Sequence, residues 1–177
     1  LVLFNFLYYF LIWNNIKFFW GLLMDKTYLG GCLCGQIRYE ANGKPEVTAV
    51  CHCRYCQLRS GSGFGILVYF KEGNFIITKG KSYFYNFKSE SGNNWKNQFC
   101  KNCGTTLTSR LEVRDGEVGI AGGTFDPPTF WYNITAEVFT RSKAHFIGNI
   151  PSKRKSETIY YYSPQISEEI GKKIINK

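Results

Sequence analysis

Cys100-Lys101-Asn102-Cys103-Gly104 places two thiols three residues apart, with a glycine directly behind them. That spacing turns the chain tightly enough for one metal ion to take both sulfurs, and Gly104 is free to adopt the positive φ of such a knuckle. Upstream, Gly30-Gly31-Cys32-Leu33-Cys34-Gly35 offers a second pair. Residues two apart on a strand share a face, so Cys32 and Cys34 are expected side by side, with the glycines letting the backbone bend. Two such pairs complete a tetrahedral Cys32, Cys34, Cys100, Cys103 site, the usual closed arrangement of a structural zinc. A small β domain gains folding free energy from such a site.

Between the two pairs lies Cys51-His52-Cys53-Arg54-Tyr55-Cys56, three thiols within one short loop. The chain has seven cysteines, and an odd count cannot close into disulfides within one chain. With four assigned to the closed site, Cys51, Cys53 and Cys56 remain. Three protein ligands and an open fourth position define a catalytic type of zinc. Two alternatives stand beside this reading. His52 or His145 could fill the fourth position, although alternation turns His52 away from the face shared by Cys51 and Cys53. An iron–sulfur cluster would usually take four cysteines.

Zinc(II) held by three thiolates carries a net charge of −1. Such a centre is a poor source of hydroxide and a good receiver of an incoming thiol, which coordination deprotonates. The expected substrate is therefore a small thiol, with a bond to its sulfur made or broken. Arg54 and Arg59 are the candidates to hold the carboxylates of an anionic thiol. Ser60-Gly61-Ser62-Gly63 follows at once, and Ser60 and Ser62 either cradle the same ligand or belong to a plain loop.

The rest of the sequence reads as β. Gln36–Ala41 alternates and ends in the turn Asn42-Gly43-Lys44-Pro45; Val47–Val50 leads into the three-cysteine loop. Strands are further expected at Gly65–Phe70, Phe75–Thr78, Ser82–Lys88, into Phe99, at Thr105–Val113, Glu117–Ala121 and Ala136–Thr140, with Asp115-Gly116 marking a hairpin. No stretch up to residue 150 keeps helical periodicity, although a turn of helix after Cys56 fits. Residues 26–150 form the expected zinc-binding domain. Residues 151–177 read as a basic tail packed loosely on it, with a short helix at Ile166–Lys177.

The chain has 177 residues and carries 22 basic against 13 acidic side chains, a net charge of +9. That balance favours anionic partners or serves solubility alone. The partner expected is a small acid, not nucleic acid. No serine–histidine–aspartate arrangement, phosphate loop or dinucleotide fingerprint is present. Residues 1–23, LVLFNFLYYFLIWNNIKFFWGLL, hold nine of the 31 aromatic residues, yet their longest apolar run, Phe6–Trp13, is eight residues. A spanning helix wants ~20. A basic leader and a small-residue cleavage site are both missing. Met24, the only methionine, is the expected start, with residues 1–23 an upstream artefact or fragment; a membrane anchor is the alternative. Free cysteines in metal spacing imply a reducing, cytoplasmic compartment.

Three ordered motifs carry a resemblance. Gly30-Gly31-Cys32-Leu33-Cys34-Gly35-Gln36-Ile37-Arg38-Tyr39 is the first, and Cys51-His52-Cys53-Arg54-Tyr55-Cys56 with Ser60-Gly61-Ser62-Gly63-Phe64-Gly65 is the second. Phe99-Cys100-Lys101-Asn102-Cys103-Gly104-Thr105 is the third. Together they resemble the glutathione-dependent formaldehyde-activating enzyme family, which includes the centromere protein V-like proteins. Gly122-Gly123-Thr124-Phe125-Asp126-Pro127 and Phe139-Thr140-Arg141-Ser142-Lys143-Ala144 look like its later landmarks. The resemblance covers about residues 28–148. It implies a mainly β, Mss4-like fold of coiled antiparallel sheets pinned by two zinc ions, with the same four-plus-three division of the cysteines. It implies a carbon–sulfur lyase that joins glutathione to formaldehyde as S-hydroxymethylglutathione. A non-catalytic zinc module, acting as thiol carrier or protein-binding scaffold, is the alternative the same family allows.

Overall fold

Ile37, Tyr39 and Ala41 alternate with polar neighbours and are all buried, which fixes one face of their strand against a core. The structure, a computed structural model, describes residues 26–163. The hydrophobic segment 1–23, the start at Met24 and the helix expected at Ile166–Lys177 lie outside the described residues. Eleven strands and one short α-helix follow in chain order among the described residues. They are β1 (Thr27–Gly31), β2 (Arg38–Asn42), β3 (Val47–Cys51), α1 (Arg54–Ser60), β4 (Gly65–Lys71) and β5 (Phe75–Lys79). Then come β6 (Tyr83–Lys88), β7 (Asn94–Phe99), β8 (Thr106–Leu111), β9 (Glu117–Ala121), β10 (Ala136–Val138) and β11 (Arg154–Ser156). The fold is mainly β, as the sequence pattern requires.

The strands form two sheets. The smaller has the order β1-β2-β5, and the larger β11-β10-β3-β4-β9-β8-β7-β6. The larger sheet is mixed rather than wholly antiparallel: β10 runs parallel to both β3 and β11. The apolar faces of β2, β4, β8 and β9 meet in one core, where Tyr39, Phe70, Leu107, Val118 and Ile120 pack with Phe125. The Tyr39 hydroxyl finds Thr124 Oγ1 at 2.9 Å, so this large ring is buried without an orphaned polar atom. The ion pair Arg38–Asp126 ties β2 to the loop beyond β9.

Two knuckle glycines do what their positions demand: Gly35 and Gly104 have φ of +70° and +72°. Three local details differ from the sequence reading. Cys32 and Cys34 sit in the turn between β1 and β2, closed by Gly35 N–H to Cys32 O at 2.9 Å, rather than side by side on a strand. The helix begins at Arg54, ahead of Cys56, because Gln57 N–H bonds back to Cys53 O at 3.1 Å. Residues 151–163 do not lie loosely. Arg154–Ser156 pairs with Ala136–Val138 residue by residue, which adds an edge strand to the large sheet. No helix among the described residues is long and apolar enough to cross a membrane.

Phe70 is fully buried at the middle of this core. Phe70→Ala should lower the unfolding free energy by about 3–5 kcal/mol. A denaturant titration at constant metal should therefore show a lower midpoint with an unchanged slope.

Candidate metal centres and cavity

The sulfurs of Cys32, Cys34, Cys100 and Cys103 lie within 4.8 Å of one another. Cys32 Sγ is 3.5 Å from Cys34 Sγ, which is 3.7 Å from Cys100 Sγ. Each pair comes from a chain reversal, one between β1 and β2 and one between β7 and β8, so the cluster joins the small sheet to the large one. Backbone and hydroxyl donors point at these sulfurs. Ile37 N–H reaches Cys32 Sγ at 3.2 Å, and the Thr105 hydroxyl stands 3.2 Å from Cys103 Sγ. Hydrogen bonds from the Thr105 side chain and backbone hold the Cys103 thiol down at about 5. An Asn102 hydrogen bond likewise lowers Cys34. Such donors favour thiolates and suit a cation between them.

The sulfurs of Cys51, Cys53 and Cys56 form a second group within 4.8 Å, which no fourth histidine, cysteine or carboxylate joins among the described residues. Cys51 ends β3. Cys53 caps α1, and Cys56, one turn in, swings back towards it. Hydrogen bonds from Cys51 and Cys53, aided by the Arg59 guanidinium, hold Cys56 well below the ordinary thiol range. Hydrogen bonding to Cys53 and Cys56, together with burial, raises Cys51. Both clusters could hold a metal ion.

His52 lies between two of these cysteines and points away from them. It is 0% exposed, and its Nε2 is 3.1 Å from Oε1 of Glu137, also 0% exposed, on β10. Lys143 Nζ reaches the same oxygen at 2.8 Å, and Lys155 Nζ on β11 pairs with Oε2 at 3.0 Å. His52 N–H donates to Val138 O at 3.0 Å. Burial alone would raise the Glu137 carboxyl, but hydrogen bonds from Lys143, Lys155 and His52 overcome it and hold the group at about 2. Glu137 thus ties together the loop of the three thiols, the turn after β10 and the edge strand. A charged residue inside the apolar run Ile134–Phe139 was the signal in the sequence, since such a group is buried only with partners. His145 joins neither thiol cluster.

Cys51, Cys53 and Cys56 line a cavity of about 410 Å³. Aromatic rings form much of its wall, among them Tyr55, Tyr69, Trp95 and Phe139. Among the described residues, four arginines, Arg54, Arg114, Arg141 and Arg154, line it against one acidic residue, Glu90. Of the side chains expected to bind substrate, Arg54 is in this wall, whereas Arg59, Ser60 and Ser62 are not. Arg59 lies behind Cys56, against Gly65. The Ser60 hydroxyl donates to Cys56 O at 2.7 Å and to Phe64 O at 2.8 Å, which fastens the end of α1. Sequence spacing carries no signal for Arg114, Arg141 and Arg154, because separate elements bring them to the cavity.

Removing one partner from a buried ionic cluster leaves the others uncompensated. Glu137→Gln should cost about 3–5 kcal/mol of unfolding free energy, read at neutral pH by denaturant titration. The sign with pH follows from the lowered carboxyl. With a folded value of about 2 against an ordinary 4.5, its contribution is full above the ordinary value and fades as pH falls towards 2. An unchanged midpoint in the variant would show that the cluster adds nothing to stability.

No curated protein sequence matches the chain. Among solved structures, a Rhodobacter sphaeroides protein determined by structural genomics is 18% identical, with a TM-score of 0.46, over 59% of this chain and 95% of that one. The profile of the family described as glutathione-dependent formaldehyde-activating enzyme matches residues 27–142, which include every cysteine of both clusters. That span is well over half of the sequence, and the chain belongs to the glutathione-dependent formaldehyde-activating enzyme family.

Proposed function

We propose that the protein is a zinc-dependent carbon–sulfur lyase that adds a small anionic thiol, glutathione first among them, to formaldehyde. The observation that carries this reading is the group of three thiols that no fourth ligand joins among the described residues, lining a cavity with four arginines. The donor chemistry fits zinc. Four sulfurs each about 2.3 Å from one ion would stand about 3.8 Å apart in a tetrahedron, close to the 3.5 and 3.7 Å found between Cys32, Cys34 and Cys100. Cys32, Cys34, Cys100 and Cys103 would hold the structural ion, and Cys51, Cys53 and Cys56 the catalytic one. When bound at the three thiolates, zinc supplies deprotonation of a substrate thiol at neutral pH.

The chain's own residues supply the rest. In the reaction the thiol sulfur bonds to the aldehyde carbon, the carbon–oxygen π bond opens, and the proton lost from sulfur ends on oxygen. Nothing is oxidised or reduced. The arginines place the carboxylates of the thiol, and their excess over Glu90 raises the local concentration of anions. Tyr161 lines the same cavity, and burial pushes its hydroxyl up to about 12. It is available to the oxygen on which negative charge develops.

Elemental analysis should find close to two zinc ions per chain. Cys53→Ser should stay folded with one ion, whereas Cys100→Ser should fail to fold, because metal-linked folding free energy is lost at the junction of the sheets. A single ion in the unaltered protein, with Cys51, Cys53 and Cys56 freely alkylated, would contradict the open site.

Calorimetry tests the thiol. Glutathione should bind with release of a proton, because its sulfur must ionise to coordinate. S-methylglutathione keeps the carboxylates but cannot become a thiolate, and it should bind markedly more weakly. Equal affinity for the two would remove the metal from recognition. Glutathione binding without any acceleration of adduct formation with formaldehyde would make the protein a thiol carrier instead.

A further inference from the structure

The family match ends at residue 142, but the cavity does not. Arg154, Ser156, Ile159 and Tyr160–Tyr162 all line it. Both ends of this segment are anchored. At one end, β11 pairs with β10, Arg154 N–H donates to Thr135 O at 3.2 Å, and Lys155 pairs with Glu137. At the other, Ser163 N–H reaches the Ser91 hydroxyl at 3.1 Å, in the turn between β6 and β7. Between the anchors, the Tyr162 ring packs edge-on against Phe139 at 5.0 Å. The segment therefore crosses the cavity from the edge of the large sheet to the turn between its last two strands.

The groups it presents differ from those of the matched region. Arg114 is engaged by Glu117 and lies over the Tyr69 ring at 4.2 Å, and Arg141 lies over the Tyr162 ring at 5.0 Å. Arg154 is exposed and pairs with no carboxylate among the described residues. Tyr160, in the same wall, is 89% exposed, and its ring meets Tyr161 edge-on at 4.8 Å. A fork of donors without a carboxylate partner, in the same wall as an uncovered aromatic face, is suited to a carboxylate on a short flexible body.

We propose that residues 154–162 form the specificity wall of the cavity, in which Arg154 and Tyr160 bind the carboxylate-bearing end of the thiol, remote from its sulfur. This rests on the thiol reading above. It assigns the choice among thiols to a segment outside the family match, and leaves the handling of sulfur to the three cysteines.

The test compares two thiols on the full, zinc-loaded chain. Glutathione carries a thiol and remote carboxylates, and 2-mercaptoethanol carries a thiol and a hydroxyl but no carboxylate. Arg154→Ala should weaken glutathione about tenfold, the value of one charge-assisted hydrogen bond. Tyr160→Ala should weaken it about threefold through lost ring contact. Both variants should hold 2-mercaptoethanol within about twofold of the unaltered protein, as distant sites do. Arg154→Lys should recover part of the loss. Both side chains are exposed, and zinc content confirms that the variants are folded. Unchanged glutathione affinity, or equal loss for both thiols, overturns the wall. If the unaltered protein binds the two thiols equally well, the thiol reading stands and the wall is overturned. If it binds neither, both fall together.

Discussion

Two chain reversals from different sheets meet at four sulfur atoms, and the architecture depends on that meeting. Cys32 and Cys34 come from the turn of the small sheet, and Cys100 and Cys103 from a hairpin of the large one. Cys34 and Cys100 are 66 positions apart. Closing so long a loop costs conformational entropy that few local contacts return. An ion shared by the four thiolates would offset that cost at one point and fix how the sheets face each other. The apolar core between Tyr39, Phe70 and Leu107 then needs only to fill the space.

The second cluster obeys a different constraint. Its three cysteines are held by the end of β3 and the first turn of α1, and β3 is held by β10, which runs parallel to it. Parallel neighbours share no tight turn, so their alignment must come from side chains and register. Glu137 supplies part of it. One buried carboxylate accepts from His52 in the cysteine loop and pairs with lysines on either side of the chain that follows. Such a group is costly to desolvate, and it is kept here with three cationic or polar partners around it. The geometry of the thiols therefore leans on a residue that never touches them.

Much of this was legible in the sequence, for identifiable reasons. The division of the cysteines could be read because ligand spacing is a local property. The strand Glu117–Ala121 was read to the residue, since alternation and the preceding Asp115-Gly116 turn are local too. The edge strand β11 was missed: its Arg-Lys-Ser looks like a solvated stretch, and its pairing is decided by β10, far from any pattern in its own residues. The cysteine pair at Cys32 and Cys34 was recognised while its backbone was misjudged, because glycine-flanked residues form a turn as readily as an extended run. Arg114, Arg141 and Arg154 had no signature, as the loop before β9, the turn after β10 and β11 each bring their own.

The parallel alignment of β3 with β10 also fixes an order of events during synthesis. Cys51, Cys53 and Cys56 leave the ribosome long before the strands that cover them, since Ser156, the end of β11, follows Cys56 by 100 positions. At ordinary elongation rates that interval is roughly 5–20 s. Throughout it, three neighbouring thiols sit on a nascent chain without the wall that later screens them. The pair at Cys32 and Cys34 waits a shorter time, only until Cys103 emerges. The cavity is thus completed after the four-cysteine cluster, and the maturing polypeptide passes through a stage in which one cluster can already close while the other still lies open to oxidants and stray metal.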